Sequence, residues 1–591
     1  MAVGCGGNND LQNGTPVVTV SATNTRFTNF IVNIDSLTLT RDDGNVFTEL
    51  GTPERADLTK VTDINELLNA PAIPNGTYKT GTLVVDFTGA VINVDVNGQS
   101  VAATPVDATG AAVTSFSLTL NFDKNKPLVV NSHQSVRFGL DFNLAASTIV
   151  NNTGSGITVI VAPFVVASVV LPNPNPIHVH GAYLISDQKN GSFILNSRPF
   201  SDQVNSLGAI NVVTDSNTIY DINGQTYTGA AGLTAVGALP MNAGIVAVGT
   251  FTDLSKVTPV LTATQVYAGT SLEALTVDHL SGEVLSRSGN VIDVHDAVLT
   301  DRTGLFSFIN DATLTIGSAT IVNTDGSAVS GQSNLAISIG QHIDASGQAT
   351  LNPTTGAISL DASAGEVRLQ PTRVWGLLNS AAPGNLALNL TAIGQFEPAA
   401  FNFAGTGVTP ASDAVPANYV INTGATDLTA TPAATQVRVD GLVTPFASAP
   451  PDFTASAVTT APALDSVLQI EWPNGGSTAP FTSIGAGGIV VNLASTNIGT
   501  IHEIDTGPFT QDLTLLSASP LIVPATANAT NFSVGGGTGL IINSFTTYSD
   551  FVTAVGTNLN GTTAIRKLVA LGRYDAGTNT FTATRIDLVD Q

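Results

Sequence analysis

Apolar and polar residues alternate along most of the chain, and this period of two limits the folds open to it more than any other feature. Segments 30–39 and 81–87 are examples. Successive side chains of a strand point to opposite faces, so such segments predict strands with one buried face. Pairs such as Asn97-Gly98 separate them and suit tight hairpin turns. A helical period is confined to two short pieces, 63–70 and 548–559. The pattern predicts an all-β protein.

A degenerate repeat of about 90 to 110 residues begins near residue 178. Copies open with a glycine-containing strand, at 180–184, 280–285 and 374–378. Most close with a strand of the form Val-x-Val-x-Gly or a near variant, at 245–249, 437–441 and 568–572. The second copy is poorly defined. We therefore expect about four small β-barrels in the C-terminal two thirds of the chain.

Residues 16 to about 172 form the first unit, which contains the segments 57–60, 66–68, 73–78, 136–142 and 147–150. Together these segments resemble an uncharacterised family of bacterial and archaeal lipoprotein domains. The resemblance implies a lipid-ready cysteine, an Ig-like or transthyretin-like β-sandwich and a short helix, and it implies no activity. The later repeats resemble the small OB-like barrels, also of unknown function, that accompany this domain in such lipoproteins.

These patterns divide the chain into seven predicted segments. They are a tether at 1–15, a β-sandwich at 16–171, a Pro-rich linker at 172–177, and barrel repeats at 178–272, 273–371, 372–466 and 467–591, the last with a short helix. The linker contains Pro172, Pro174 and Pro176 and should be extended and stiff.

Cys5 is the only cysteine and lies in a Gly/Asn-rich stretch without a folding pattern. This context resembles the acylation site of a bacterial lipoprotein, which implies attachment to a membrane through lipid alone. Gly6 follows it instead of the aspartate that retains many such proteins at the inner membrane, so an outer-membrane anchor, periplasmic or surface-exposed, is expected. The alternative is a buried free cysteine in a cytosolic protein.

The charge of the chain restricts its partners. The net charge is −24, with 20 Lys and Arg residues, so a nucleic acid would be repelled. Only 11% of residues are charged, a composition found in surface-layer proteins and adhesins. Expected partners are therefore a membrane through the lipid, a surface polysaccharide, or further copies of the chain through exposed strand edges.

His178 and His180 form the sharpest local pattern, because residues i and i+2 of a strand share a face and could reach one divalent metal. A zinc site usually takes three or four protein ligands, and the sequence nominates no third. Two polar residues on a solvated face are the plain alternative. No cofactor is predicted, although adventitious calcium could occupy one of the Asp-Gly or Asn-Gly turns. The acidic segment 293–301 superficially resembles a hydrolase or calcium cluster but lacks the EF-type Asp-x-Asp-x-Asp-Gly pattern.

Trp375 and Trp472 are the only tryptophans, and either could be a stacking platform for a sugar or a core residue of its barrel. Nucleophile elbows, phosphate-binding loops and zinc-protease helices are missing from the sequence. We therefore expect a non-enzymatic envelope lipoprotein with a structural, adhesive or self-assembling role, its barrels reaching outward. The alternatives are a polysaccharide-binding or polysaccharide-modifying protein and, third, a divalent-metal protein.

Overall fold

A computed structural model describes residues 13–591 of the chain apart from several short segments. Those segments are 24–25, 63–64, 97–98, 153–155, 170–175, 199–207, 273–276, 303–305, 329–330, 353–356, 474, 496, 526–529, 538 and 559–562. Cys5 and most of the predicted linker therefore lie outside the described residues. The described part is nearly all β, as the alternation predicts.

The N-terminal unit is a sandwich of two sheets. Its elements are β1 (Asn13–Thr23), β2 (Phe27–Arg41), β3 (Val46–Leu50), β4 (Glu54–Asp57), β5 (Asn65–Asn69), β6 (Ile73–Pro74), β7 (Gly76–Val96), β8 (Gln99–Val106), β9 (Ser115–Asn121), β10 (Leu128–Val130), β11 (Ser135–Asn143), α1 (Leu144–Ser147), β12 (Thr148–Asn152), β13 (Ile157–Val161) and β14 (Val165–Ser168). One sheet has the order β14-β11-β1-β5, and the other is built around β2 and β7. Their inward faces share one apolar core that includes Phe30, Tyr78 and Phe138.

The helix expected over 63–70 is not present, because residues 65–69 form strand β5. This strand pairs antiparallel with β1 on one side and parallel with the first strand of the next unit on the other. Sheet pairing overrides the local helical pattern there. The second expected helix is α3 (Tyr548–Asn558).

Four small barrel units follow the sandwich. The first contains β15 (Ile177–Asp187), β16 (Ser192–Ser197), β17 (Gly208–Val213), β18 (Ile219–Ile222), β19 (Gln225–Thr228), α2 (Gly229–Gly237), β20 (Gly244–Asp253) and β21 (Val260–Ala268). The second contains β22 (Asp278–Ser288), β23 (Val291–Thr300), β24 (Phe306–Thr315), β25 (Ile321–Thr324), β26 (His342–Leu351) and β27 (Ile358–Leu369).

The third unit contains β28 (Thr372–Ala382), β29 (Asn385–Ile393), β30 (Tyr419–Asn422), β31 (Gln436–Val443) and β32 (Phe453–Thr460). The fourth contains β33 (Asp465–Glu471), β34 (Phe481–Gly485), β35 (Gly488–Val491), β36 (His502–Thr506), β37 (Phe509–Asp512), β38 (Leu521–Pro524), β39 (Asn531–Gly535), β40 (Ile541–Phe545), α3, β41 (Ile565–Asp575) and β42 (Thr580–Asp590).

The first three barrel units share one strand order, first-second-third-fifth-fourth. In the first unit the order β15-β16-β17-β21-β20 closes by pairing of β20 with β15. The second unit closes in the same way, and the third is a closed five-stranded barrel. The third and fifth strands run parallel in every unit. This small Greek-key barrel matches the OB-like expectation.

One glycine marks the fourth main strand of every barrel unit. Gly249, Gly347, Gly441 and Gly572 each lie where the pairing with the following strand shifts register. A Cβ at any of them would lie 2.0 to 2.2 Å from a backbone oxygen of that strand. The close backbone approach therefore requires glycine, including in the second copy, which the sequence pattern defines poorly.

The units do not extend outward as a string, because the last barrel returns to the sandwich. Strand β40 pairs in parallel with β9, with Ile541 opposite Thr119. Earlier junctions are the β5–β15 pairing, a buried ion cluster between the first two barrels, a core shared by the second and third, and contact of Trp375 with Phe509 between the third and fourth. Each unit thus contacts the next, and the last contacts the first.

Buried charges reinforce the contact between the last barrel and the sandwich. Arg585 pairs with Asp587 of its own strand and with Asp141 of the sandwich. The Asn143 amide donates to the Asp587 carboxylate at 2.6 Å. Lys567, paired with Glu471, donates to the carbonyl oxygen of Thr148 at 2.7 Å. Burying these charges is tolerated because each has a partner.

None of the helices in the described part of the chain has the length and apolar character needed to cross a membrane. The longest apolar run of the sandwich forms two separate strands, β13 and β14.

Candidate functional site

Strand pairing brings Glu66 beside the two predicted histidines. Glu66 lies on β5 of the sandwich and is the register partner of His178 on β15. His180 follows two residues later and therefore shares the face of His178. The alternate residues Leu67, Ile177 and Val179 point the other way, into the core of the first barrel. The backbone alone thus places three potential metal ligands on one side of the sheet.

The three side chains are in direct contact. Glu66 Oε1 lies 3.1 Å from His178 Nδ1, and Glu66 Oε2 lies 3.4 Å from His180 Nε2. The imidazole rings stand edge to face with their centroids 6.0 Å apart. Among the described residues, these are the only three His, Cys, Asp or Glu side chains whose potential ligand atoms all lie within 4.8 Å of one another.

The surroundings make this a partly shielded site. The side chains are between 19% and 31% exposed, so solvent and small ions can reach them. On the other side of β15, Val248 and Val246 lie opposite His178 and His180 and are buried together with Leu272. The histidines therefore have an apolar flank on the barrel side.

The charge state of Glu66 follows from its neighbours. Burial raises the pKa of its carboxyl, but the imidazoles of His180 and His178 oppose this and bring the pKa down to about 2. Glu66 is therefore an anion across the physiological range and available as an oxygen ligand or ion-pair partner.

The two tryptophans are buried and present no face to a sugar. Trp472 is 0% exposed and donates its indole N–H to Ser495 Oγ at 2.7 Å inside the last barrel. Trp375 is 7% exposed and packs edge to face on Phe509. Trp375 thus packs at the junction of the third and fourth barrels. The polysaccharide alternative loses the stacking platforms on which it depended.

Among the described residues, the side chains of the acidic segment 293–301 do not form a cluster of potential metal ligands. Asp293 accepts a hydrogen bond from Ser286 at 2.6 Å, and His295 lies 2.7 Å from Asp311. Asp296 has a positive φ of 48°, and burial raises the pKa of its carboxyl to about 6. Asp293 and His295 thus have separate partners.

A buried ion cluster between the first two barrels was not predicted. Arg368 of β27 lies 3.1 Å from Asp221 of β18 and 3.3 Å from Glu366. Ser271 donates to Asp221 at 2.5 Å, and the guanidinium stacks over the ring of Tyr267 at 4.8 Å. No local sequence motif contains these residues. The only signal in the sequence is the alternation, which places Glu366 and Arg368 two residues apart on one face of a strand.

An open cleft of about 530 Å³ lies beside this ion cluster and is lined by polar residues such as Gln225, Ser333 and Asn334.

The cluster predicts a pH-dependent stability difference for E366Q. Burial raises the pKa of Glu366 from 4.5 to about 7, with Arg368 opposing and Asp221 adding to the rise. The folded state therefore holds a proton that the unfolded state releases, so this carboxyl's contribution to stability falls as the pH rises from 4.5 through 7. Glutamine does not titrate. Thermal midpoints should show E366Q gaining stability relative to the wild type over that range.

The exposed Glu397 provides the control for this measurement. E397Q shows how much an exposed Glu-to-Gln change alone alters the thermal midpoint at each pH. A pH-independent difference between E366Q and the wild type, measured against this control, would contradict the assigned protonation of Glu366.

The fold thus defines an all-β protein composed of a sandwich and small OB-like barrels. Comparisons of the chain with protein-family models, with curated proteins and with solved structures found no match.

Proposed function

We propose that the protein is a non-enzymatic lipoprotein of the bacterial cell envelope, anchored at the outer membrane through acylated Cys5, with a structural, adhesive or self-assembling role. The observation that carries this proposal is the return of the last barrel to the sandwich through the β9–β40 pairing. This pairing joins the last of the five units to the first. Arg585, Asp587 and Lys567 are buried where the last barrel meets the sandwich. An arrangement of this kind suits a load-bearing or assembling component.

The composition supports the same role. An acidic chain with few charges and many Thr, Asn, Gly and Ser residues suits a surface that meets the medium rather than nucleic acid. A lipid anchor of several acyl chains would hold such a protein at the membrane without a spanning helix.

The proposal is tested by expressing the full-length gene product in its own host and fractionating the envelope. Mass spectrometry of the N-terminal peptide should find acylated Cys5, and electron microscopy should find ordered assemblies. C5S is the matched control and should leave the membrane fraction. An unmodified Cys5 in a soluble fraction would refute the anchor. Turnover of a substrate that is lost on a single substitution would refute the non-enzymatic role.

A further inference from the structure

Glu66, His178 and His180 offer a ligand set typical of transition metals. Two imidazole nitrogens and a carboxylate oxygen suit Zn²⁺ and its neighbours, whereas Ca²⁺ and Mg²⁺ prefer a shell made of oxygens. Sets of two histidines and one glutamate leave a fourth tetrahedral position for water or an external ligand.

The distances between the ligand atoms fit such an ion. Metal–ligand bonds of about 2.0 to 2.1 Å at tetrahedral angles separate two ligand atoms by about 3.3 to 3.4 Å. Glu66 Oε1 lies 3.1 Å from His178 Nδ1, Glu66 Oε2 lies 3.4 Å from His180 Nε2, and the ligand atoms of all three residues lie within 4.8 Å of one another. A carboxylate binding through one oxygen and a small rotation of the imidazoles would place the three atoms around one ion.

The position of the set distinguishes it from other histidine–carboxylate contacts in the chain. His342 and Glu283 also form a close pair, with Nδ1 and Oε1 2.9 Å apart, but both belong to the second barrel. By contrast, Glu66 belongs to the sandwich and the two histidines belong to the first barrel. Parallel pairing of β5 with β15 joins these units through Asn65 and Glu66 opposite Ile177 and His178. An ion here would cross-link the two units at a short sheet contact.

We propose that Glu66, His178 and His180 bind one divalent transition-metal ion, with Zn²⁺ preferred, and that this ion fastens the sandwich to the first barrel while keeping one coordination position for an external ligand. The proposal is independent of the envelope role proposed above. A protein that binds metal without lipid, or lipid without metal, would separate the two.

The test uses the full chain carrying C5S, to remove the only thiol, and purified without a histidine tag. Co²⁺ serves as the probe, since its visible absorption reports ligand type and geometry. We expect one equivalent to bind with a tetrahedral spectrum and Zn²⁺ to displace it. In E66Q, H178Q and H180Q the affinity should fall by at least about 10- to 100-fold. Metal should also raise the thermal midpoint of the parent protein, because it binds the folded state.

H342Q is the matched control, since it removes one member of a histidine–glutamate pair to which no second imidazole of the described residues adds a ligand atom within 4.8 Å. It should bind Co²⁺ as tightly as the parent protein. If the parent binds no more Co²⁺ than the H178Q/H180Q double variant, the proposal is overturned. A six-coordinate spectrum unaffected by H178Q would also overturn it. The stoichiometry and spectrum of the parent protein decide the matter even if one variant fails to fold, which circular dichroism will reveal.

Discussion

Replacing Asp587 with alanine should destabilise the last barrel and its contact with the sandwich by about 3 to 5 kcal/mol, the usual cost of breaking a buried ion pair from one side. Asp587 is 0% exposed, and its carboxylate lies 2.6 Å from Arg585 Nε. Without it, Arg585 keeps Asp141 as an ionic partner, and the Asn143 amide loses its acceptor. An unsatisfied buried donor adds to the cost.

Urea denaturation monitored by fluorescence measures this effect. In a W375F background, the single remaining tryptophan, Trp472, reports on the last barrel. The matched control is D465A, which breaks the exposed pair of Asp465 with Arg573, whose side chains are 74% and 60% exposed. Its effect should stay below about 1 kcal/mol. Similar losses in D587A and D465A would show that the buried network does not hold this interface.

Replacing Gly572 with alanine should cost about 3 kcal/mol, near the upper end of the range for overpacking. The new Cβ would lie 2.0 Å from the carbonyl oxygen of Thr582 on the paired strand. That oxygen belongs to the backbone of the paired strand at the register shift, so no flexible side chain can give way. The φ of Gly572 lies outside the left-handed region, and the penalty is therefore one of space and not of backbone conformation.

Gly485 in the same barrel is the matched control, because a Cβ there meets no atom within 4 Å. G485A should be neutral or slightly stabilising, since alanine reduces the freedom of the unfolded chain. G347A extends the test to the second barrel, where a Cβ would lie 2.2 Å from the carbonyl oxygen of Asp361. Equal stability of G572A and G485A would rule out the proposed role of the register-shift glycines.

Most of the fold could be predicted from two sequence features, the strand period and the positions of the glycines. Alternation fixes which face of a strand is buried, and glycine is required where two backbones meet, so both constraints are local. The second barrel was poorly defined because its equivalent strand reads Ile343-Asp344-Ala345-Ser346-Gly347, with only the glycine and the alternation in common with the others. The segment 63–70 was assigned to a helix because its pairing partners on β1 and β15 are distant in sequence.

Only the two residues of the candidate site that lie on one strand were predicted from the sequence. His178 and His180 share a face through the strand period, whereas Glu66 reaches them through a strand 112 residues earlier in the chain. The cluster of Asp221, Glu366 and Arg368 is likewise assembled between two barrels. The sequence favoured a core role for Trp375 and Trp472 but could not identify their contacts, because Phe509 and Ser495 lie in other segments of the chain.

The first strand has a mechanical consequence for a chain held from its N-terminal end. Strand β1 begins at Asn13 and pairs in parallel with β11 over nine consecutive positions, from Thr15 opposite Ser135 to Thr23 opposite Asn143. A pull directed along β1 loads these pairings in shear, so that they must yield together and not one after another. Force applied from the N-terminal side would load these nine pairings together at the first element of the fold, before it reached any barrel.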